Sequence, residues 1–93
     1  MVVGVLRLEL HVPNAQSLKE RRFVIKSFKD QLRGKFNVAV AEIDPNDTWQ
    51  RATLGISTVG EDRTYVQGIV EQVMKWVRAT HLVDLIRVEQ EYM

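Results

Sequence analysis

The chain has 93 residues, of which 45% are hydrophobic and 27% are charged, the balance of a globular protein. This length suffices for one hydrophobic core, so we expect a single domain over residues 1–93. No cysteine is present, which excludes disulfides and cysteine-based metal sites and favours a reducing cytoplasm. The first apolar run is far shorter than the roughly 20 residues that span a bilayer, so we expect neither a signal peptide nor a membrane span.

Charge is unevenly distributed along the chain. The formal net charge is +1, yet residues 19–35 contain seven basic and two acidic side chains and so carry +5. The remaining residues therefore sum to −4. This asymmetry, rather than the total, is the electrostatic feature that a function has to explain.

The first predicted element is a strand over residues 5–12. Leu6, Leu8 and Leu10 alternate there with polar residues, the period of two that is typical of a strand buried on one face. The polar alternates are Arg7, Glu9 and His11. They are expected on the opposite face of the strand.

A helix is predicted over residues 18–33. Ser17 and Glu20 have the S-x-x-E spacing of a capping box, and Gly34 is the expected left-handed cap at the other end. At 100° per residue, the apolar side chains fall within an arc of about 120° that would pack on a sheet. These side chains are Leu18, Val24, Ile25, Phe28 and Leu32.

Five cations lie beside that apolar arc, at spacings of 3, 4, 3 and 4 residues, within roughly 80° of one another. We call them the basic stripe: Lys19, Arg22, Lys26, Lys29 and Arg33. Cations along about 21 Å of helix are suited to contact several phosphates without reading bases. The alternative is an ordinary solvated face, because Lys and Arg are good helix formers. Both interpretations stay open, although such faces usually mix signs and Asp30 is the only acid near the stripe.

Arg21 falls inside the apolar arc, so its charge needs a partner. A structural ion pair with Glu42 or Asp44 is the commoner outcome for such a residue. The alternative is that its guanidinium reaches solvent at the start of the helix and supplements the stripe. Lys35 would supplement the stripe at the other end.

Two strands joined by a short link are predicted next, as a hairpin. The second strand alternates from residue 36 to residue 41, and the third covers residues 50–59, with Arg51 on its outer face. The link "DPNDTW" has the composition of a loop. Trp49 within it is either an exposed anchor for a partner or, more commonly, a cap on one end of the core.

A second helix and a fourth strand complete the chain. The helix is predicted to open at an acidic pair followed by the T-x-x-Q spacing at Thr64. Gly68 weakens this helix by about 1 kcal/mol relative to Ala unless close packing requires it. The last strand covers residues 82–89, and its apolar positions change parity between Leu85 and Ile86, which is compatible with a β-bulge.

The order strand, helix, strand, strand, helix, strand, with right-handed crossovers, predicts an α+β ferredoxin-like sandwich. Its four-stranded antiparallel sheet would carry both helices on one face. The other face is a candidate partner surface, formed by Arg7, Glu9, His11 and Arg51 with Trp49 beside them. Single-stranded RNA readers of this architecture stack bases on aromatics of the central strands, and no aromatic is predicted there, so we do not expect recognition by base stacking.

Catalytic and metal chemistry have little support in the sequence. Glu9 and His11 share a strand face, but no nucleophile accompanies them, so a cross-strand polar ladder is the expected role. Two isolated histidines do not make a metal site, and no Gly-rich phosphate loop is present. We therefore expect no cofactor and no enzymatic activity.

The segments "SLKERR", "FNVAVAE" and "WQRATLG" resemble the YlxP-like family of small bacterial proteins of unknown function. The similarity runs across nearly the whole chain. The resemblance implies a ferredoxin-like fold. It also implies a gene often found beside those for a transcription elongation factor, translation initiation factor two and ribosome-binding factor A. No catalytic residues are established for the family.

The leading hypothesis is a non-enzymatic module that binds ribosomal RNA or the ribosome through the basic stripe. Arg21 and Lys35 would add to these contacts. One alternative is a homodimer formed through the open sheet or a sheet edge. A less favoured one is an acylphosphatase-like enzyme, in which Asn14, Arg21 and the amides of residues 17–19 would hold a phosphate, although the Gly-rich loop of those enzymes is missing.

Overall fold

The computed structural model describes residues 1–43 and 50–93. The elements in chain order are β1 (Val2–His11), α1 (Leu18–Lys35), β2 (Ala39–Ile43), β3 (Arg51–Gly60), α2 (Arg63–Ala79) and β4 (Asp84–Tyr92). The strands form one antiparallel sheet in the order β2-β3-β1-β4. This is the predicted ferredoxin-like arrangement.

Strict alternation along β1 and β3 produces the core. Leu6, Leu8 and Leu10 are at most 1% exposed, and Leu54 and Ile56 of β3 lie opposite them in the same layer. Both helices cover this inner face, and among residues 1–43 and 50–93 the other face of the sheet is open. Neither helix among the described residues is long and apolar enough to cross a membrane.

The two helices also contact each other through aromatic rings. Phe28 of α1 and Trp76 of α2 have ring centroids 5.3 Å apart, with ring planes tilted by 36°. Phe28 is fully buried and Trp76 partly buried. Such aromatic pairs contribute about 0.5–1.5 kcal/mol beyond their burial, so this contact helps to fix the position of α1 relative to α2.

The end of α1 differs from the prediction. Gly34 does not cap the helix, because the helix continues to Lys35 and the N–H of Phe36 donates to the Leu32 carbonyl at 3.0 Å. The next strand starts late, at Ala39, because the N–H of Val38 bonds back to the Phe36 carbonyl at 2.9 Å instead of joining the ladder. Phe36 and Val38 nevertheless pack against the core, the inward side expected of them.

Two other predictions concern α2 and β4. The cap of α2 is Asp62, whose Oδ1 accepts from the Tyr65 N–H at 2.8 Å, so Thr64 lies inside the helix. The predicted bulge is confirmed: the register of β1 and β4 shifts between Glu9 and Leu10, and Ile86 has no register partner in β1. The bulge explains the change of parity, because its one extra residue shifts the alternation. Residues that face the core have odd numbers before the bulge and even numbers after it.

Candidate functional site

The start of α1 is fixed by the predicted capping residues. Ser17 has extended backbone angles, and its Oγ accepts from the Glu20 N–H at 3.1 Å. The Glu20 carboxylate reaches back to the Gln16 N–H at 2.6 Å, one residue before the position that a capping box would use. These contacts use an acid of α1 to close the first turn, where a negative charge also favours the helix dipole.

The basic stripe lies on the outer side of α1, beside the buried arc. Lys19 and Arg22 are exposed, the Lys26 side chain is 76% exposed and Lys29 is half-buried. Lys19, Arg22 and Lys29 have no carboxylate partner among residues 1–43 and 50–93. The stripe predicted from helical spacing is therefore a real surface feature, with three cations that no carboxylate in the described part of the chain neutralises.

Asp30 occupies the side of the stripe and partly neutralises it. Its carboxylate lies 2.9 Å from Lys26 Nζ and 3.5 Å from Arg33 Nη1. The hydrogen bond from Lys26, together with the charges of Lys26, Arg33 and Lys29, holds the pKa of the Asp30 carboxyl below its usual value, against a smaller opposing effect of desolvation. One carboxylate is thus shared by two of the five cations, so the segment keeps a net positive field.

Arg33 also connects the end of α1 to the sheet. Its Nη2 donates to the Val40 carbonyl of β2 at 2.7 Å. Part of its guanidinium is thereby committed, although 45% of the side chain stays exposed. Lys35, the last residue of α1, is exposed and extends the line of cations past Arg33.

Arg21 belongs to the core. It is 4% exposed, and its guanidinium makes a bidentate pair with Glu42, at 2.8 Å and 3.3 Å, while its Nε donates to the Arg51 carbonyl at 2.8 Å. The expected ion pair is confirmed for Glu42, whereas Asp44 lies outside the described residues. The idea that Arg21 supplements the stripe is wrong, because burial and three hydrogen bonds hold its charge inside. Because of these contacts, Arg21 is not available to hold a phosphate together with Asn14, as the acylphosphatase-like alternative required.

The open face of the sheet brings together the other predicted residues. Arg7, Glu9 and His11 project from β1, and Arg51 of β3 lies opposite His11. On the other side of β1, residues of β4 complete three rows: Arg7 with Glu89, Glu9 with Arg87, and His11 with Asp84. The first two rows join opposite charges. The His11 Nδ1 lies 3.3 Å from Asp84 Oδ2. The polar ladder expected of these residues is present, and Trp49, expected beside it, lies outside the described residues.

The remaining part of the open face is apolar and small. Val5, Ala39, Ala41, Ile43 and Gly55 border a shallow depression of about 370 Å³ between β2 and β3. Ile43 leans over Gly55, since a Cβ placed there would lie 3.6 Å from two Ile43 carbons. Half of this sheet face is thus charged and half is apolar.

Sequence reasoning missed Phe23. Its side chain is 75% exposed, the most exposed large hydrophobic residue away from the chain ends in the part that the structure describes. The signal was available, because Phe23 lies about 170° from the centre of the buried arc on a helical wheel. Neither the apolar arc nor the basic stripe accounts for this exposed aromatic side chain.

Fold and site together define a small ferredoxin-like α+β protein with a basic first helix. Residues 3–90 match the family model described as "Protein of unknown function (DUF503)", and the chain belongs to this family. It is similar to a protein described as "Uncharacterized protein YlxP" from Bacillus subtilis (strain 168), with 34% identity over 76 residues. That match covers 82% of this chain and 83% of the relative. The YlxP-like resemblance is confirmed.

Proposed function

We propose that the protein binds RNA, with ribosomal RNA or the ribosome as its target, through the basic stripe of α1. The observation that carries the proposal is the one-sided charge of this helix. Its exposed cations recur on each turn, and Lys19, Arg22 and Lys29 have no carboxylate partner in the described part of the chain. A polyanion is the ligand that such a line of cations attracts.

The geometry suits a phosphate backbone better than a small anion. From Lys19 to Arg33 the helix rises by about 21 Å, enough to follow several phosphates in succession. Contacts of this kind position a nucleic acid without selecting its sequence. Neutralising four or five phosphates would give a log–log dependence of affinity on salt with a slope of about −3 to −4. The gene neighbourhood implied by the family resemblance favours ribosomal RNA over other polyanions.

The sharpest test compares two charge reversals that alter the net charge equally. Arg22→Glu with Lys29→Glu changes the stripe and breaks no ion pair recorded among the described residues. Lys75→Glu with Arg78→Glu makes the same change on the exposed side of α2, again with one Lys and one Arg. We expect the α1 pair to weaken RNA binding by about tenfold or more and to reduce the salt slope by about 2.

Fluorescence anisotropy with labelled ribosomal RNA fragments measures both quantities, and thermal unfolding controls for folding. Sedimentation of lysate on a sucrose gradient, at low and high salt, asks whether the protein travels with ribosomal particles. Equal weakening by both double variants would mean that only net charge matters. That result, or no binding by the wild type, would refute the stripe as the interface.

The apolar half of the open sheet face supports a second candidate, self-association. The depression bordered by Val5, Ala41 and Ile43 is a contiguous apolar surface on a face that neither α1 nor α2 covers. The edge of β2 is less suited to pairing, because the Val40 carbonyl already accepts from Arg33. Sedimentation equilibrium at several concentrations tests this candidate, with Ala41→Arg expected to abolish a dimer. A monomer at every concentration would eliminate it.

A further inference from the structure

The position of Phe23 on α1 carries information about the kind of RNA. The Phe23 side chain is 75% exposed, so it lacks most of the burial that normally stabilises a large aromatic residue. A single exposed apolar side chain is common on protein surfaces and needs no explanation by itself. The distinctive observation is the chemistry of the groups around this one.

Cations of the stripe flank Phe23 along the helix. Lys19 lies one turn before it, Lys26 one turn after it, and Arg22 precedes it directly. Phe23 also borders a shallow depression of about 360 Å³, which it shares with Lys26, Ser27, Asp30 and Gln31. An aromatic face beside a line of cations is the combination that single-stranded nucleic-acid sites use, with stacking for the base and charge for the phosphates.

The two acids of α1 do not cancel this field. The Glu20 carboxylate is turned toward the Gln16 amide at the start of the helix, 2.6 Å away. The Asp30 carboxylate is held by Lys26 and Arg33. In the depression itself, the Gln31 amide donates to Ser27 Oγ at 3.3 Å, so neutral polar groups are present that can hydrogen-bond the edge of a base.

We infer that Phe23 is a stacking platform for an unpaired base, and that the stripe therefore prefers single-stranded or looped RNA over a duplex. This inference rests on the proposed function and narrows its ligand class. A duplex keeps its bases stacked on one another and offers α1 only phosphates and groove edges, so Phe23 has nothing to stack on. In a single strand or a loop, an unpaired base is free to stack on the Phe23 ring while the neighbouring phosphates contact Lys19 and Lys26.

The test uses two RNA probes of equal length and the full chain. One is a labelled single-stranded oligouridine of about 12 nucleotides, within the range of about 4–16 that such sites occupy, and the other is the same strand annealed to oligoadenosine. Phe23→Ala removes the ring, Phe23→Leu keeps an apolar side chain, and Phe23→Trp keeps an aromatic one. Tyr65→Ala is the matched control, since Tyr65 is a 52% exposed aromatic on α2.

We expect Phe23→Ala and Phe23→Leu to weaken binding of the single strand by about tenfold. Duplex binding should change less than about twofold, because phosphate contacts alone remain there. Phe23→Trp should retain single-strand affinity, and Tyr65→Ala should change neither probe. High exposure of Phe23 means that its replacement leaves the core intact, and thermal unfolding verifies this.

Three results would overturn the inference. Unchanged single-strand binding by Phe23→Ala, with binding still sensitive to Arg22→Glu and Lys29→Glu, would leave the RNA interface standing and remove the stacking role. Equal weakening of binding to both probes would show that the Phe23 ring does not distinguish unpaired from paired bases. Failure of the wild type to bind either probe would refute the proposed function itself and, with it, the stacking role. An apolar anchor for a protein partner would then be the remaining use of Phe23.

Discussion

The two helices have nearly the same length, 18 and 17 residues, and lie on the same face of the sheet, yet their outer surfaces differ. α2 carries three basic residues and one acid, interspersed with neutral polar side chains. α1 carries seven basic residues and two acids. Since α2 stays solvated without a stripe of one sign, solvation alone does not require the stripe of α1. This contrast favours binding as the reason for the charge on α1.

The buried sides of the helices differ as well. α2 buries apolar side chains only: Val66, Val70, Val73, Met74 and Val77. α1 buries Ile25, Phe28 and Leu32 together with the charged Arg21. The attachment of α1 to the sheet therefore depends partly on one ion pair, whereas that of α2 depends on apolar packing.

The largest expected effect is the loss of stability on replacing Arg21, whose ion pair distinguishes the attachment of α1 from that of α2. Arg21→Met should destabilise the protein by about 3 kcal/mol, because it leaves the Glu42 carboxylate and the Arg51 carbonyl without their donors. Glu42 is 21% exposed and can recover some hydration, which keeps the loss at the low end of the range for buried pairs. Urea denaturation measures the loss.

A double-mutant cycle with Glu42→Leu shows whether the pair is the cause. Arg21→Met combined with Glu42→Leu should be more stable than Arg21→Met alone, because no unpaired charge then remains. Loss of stability that is simply additive would mean that Arg21 acts through packing of its side chain and not through Glu42.

Arg21 also shows how much of the structure can be predicted from the sequence. Helical periodicity places its side chain in the apolar arc, and the need to pair a buried charge then predicts an acidic partner. The pairing of Arg21 with Glu42 depends on where β2 begins. That start is displaced to Ala39 by the local hydrogen bond between Val38 and Phe36, which no periodicity reveals.

The same limit applies to the candidate site. The stripe follows from spacing alone, because helix geometry converts residue numbers into directions. The tether from Arg33 to the Val40 carbonyl could not be predicted, since it requires the position of β2 against the end of α1. Long-range packing therefore decides how much of Arg33 is free, whereas the pairing of Lys26 with Asp30 is a local contact between residues four positions apart.

A smaller effect is expected at glycines of the two helices. No atom outside the local helix backbone lies within 4 Å of a Cβ placed at Gly68, so no close packing requires glycine there. Gly68→Ala should stabilise the protein by about 0.5–1 kcal/mol through helix propensity. Gly34→Ala, in the last turn of α1, meets equally open space and should stabilise less, because helix ends fray. Thermal unfolding compares the two.

Gly4→Ala is the control for these substitutions. A Cβ at Gly4 would lie 2.7 Å from Val66 Cγ1 of α2, so the strand and the helix would have to move apart. We expect a loss of about 1–3 kcal/mol from such overpacking. Stabilisation by Gly4→Ala would contradict the close approach of α2 to β1 at this position.

The smallest expected effect is at Asp30, where binding and stability should change in opposite directions. Asp30→Asn frees Lys26 and Arg33 and removes a negative charge beside the stripe, so RNA affinity at neutral pH should rise by about two- to fivefold. Glu71→Gln makes the same change on the exposed side of α2 and should leave RNA affinity unchanged.

The stability of the Asp30 variant should depend on pH. Because the folded-state pKa of Asp30 is lowered, its ion pairs give the wild type a small stabilisation at pH values above the unfolded-state pKa. That advantage over Asp30→Asn is lost as the pH falls through the lower folded-state pKa, which urea midpoints measured from neutrality toward about pH 2 would show. A variant that bound RNA no better at neutral pH would mean that Lys26 and Arg33 do not contact the ligand, and the interface would reduce to Lys19, Arg22 and Lys29.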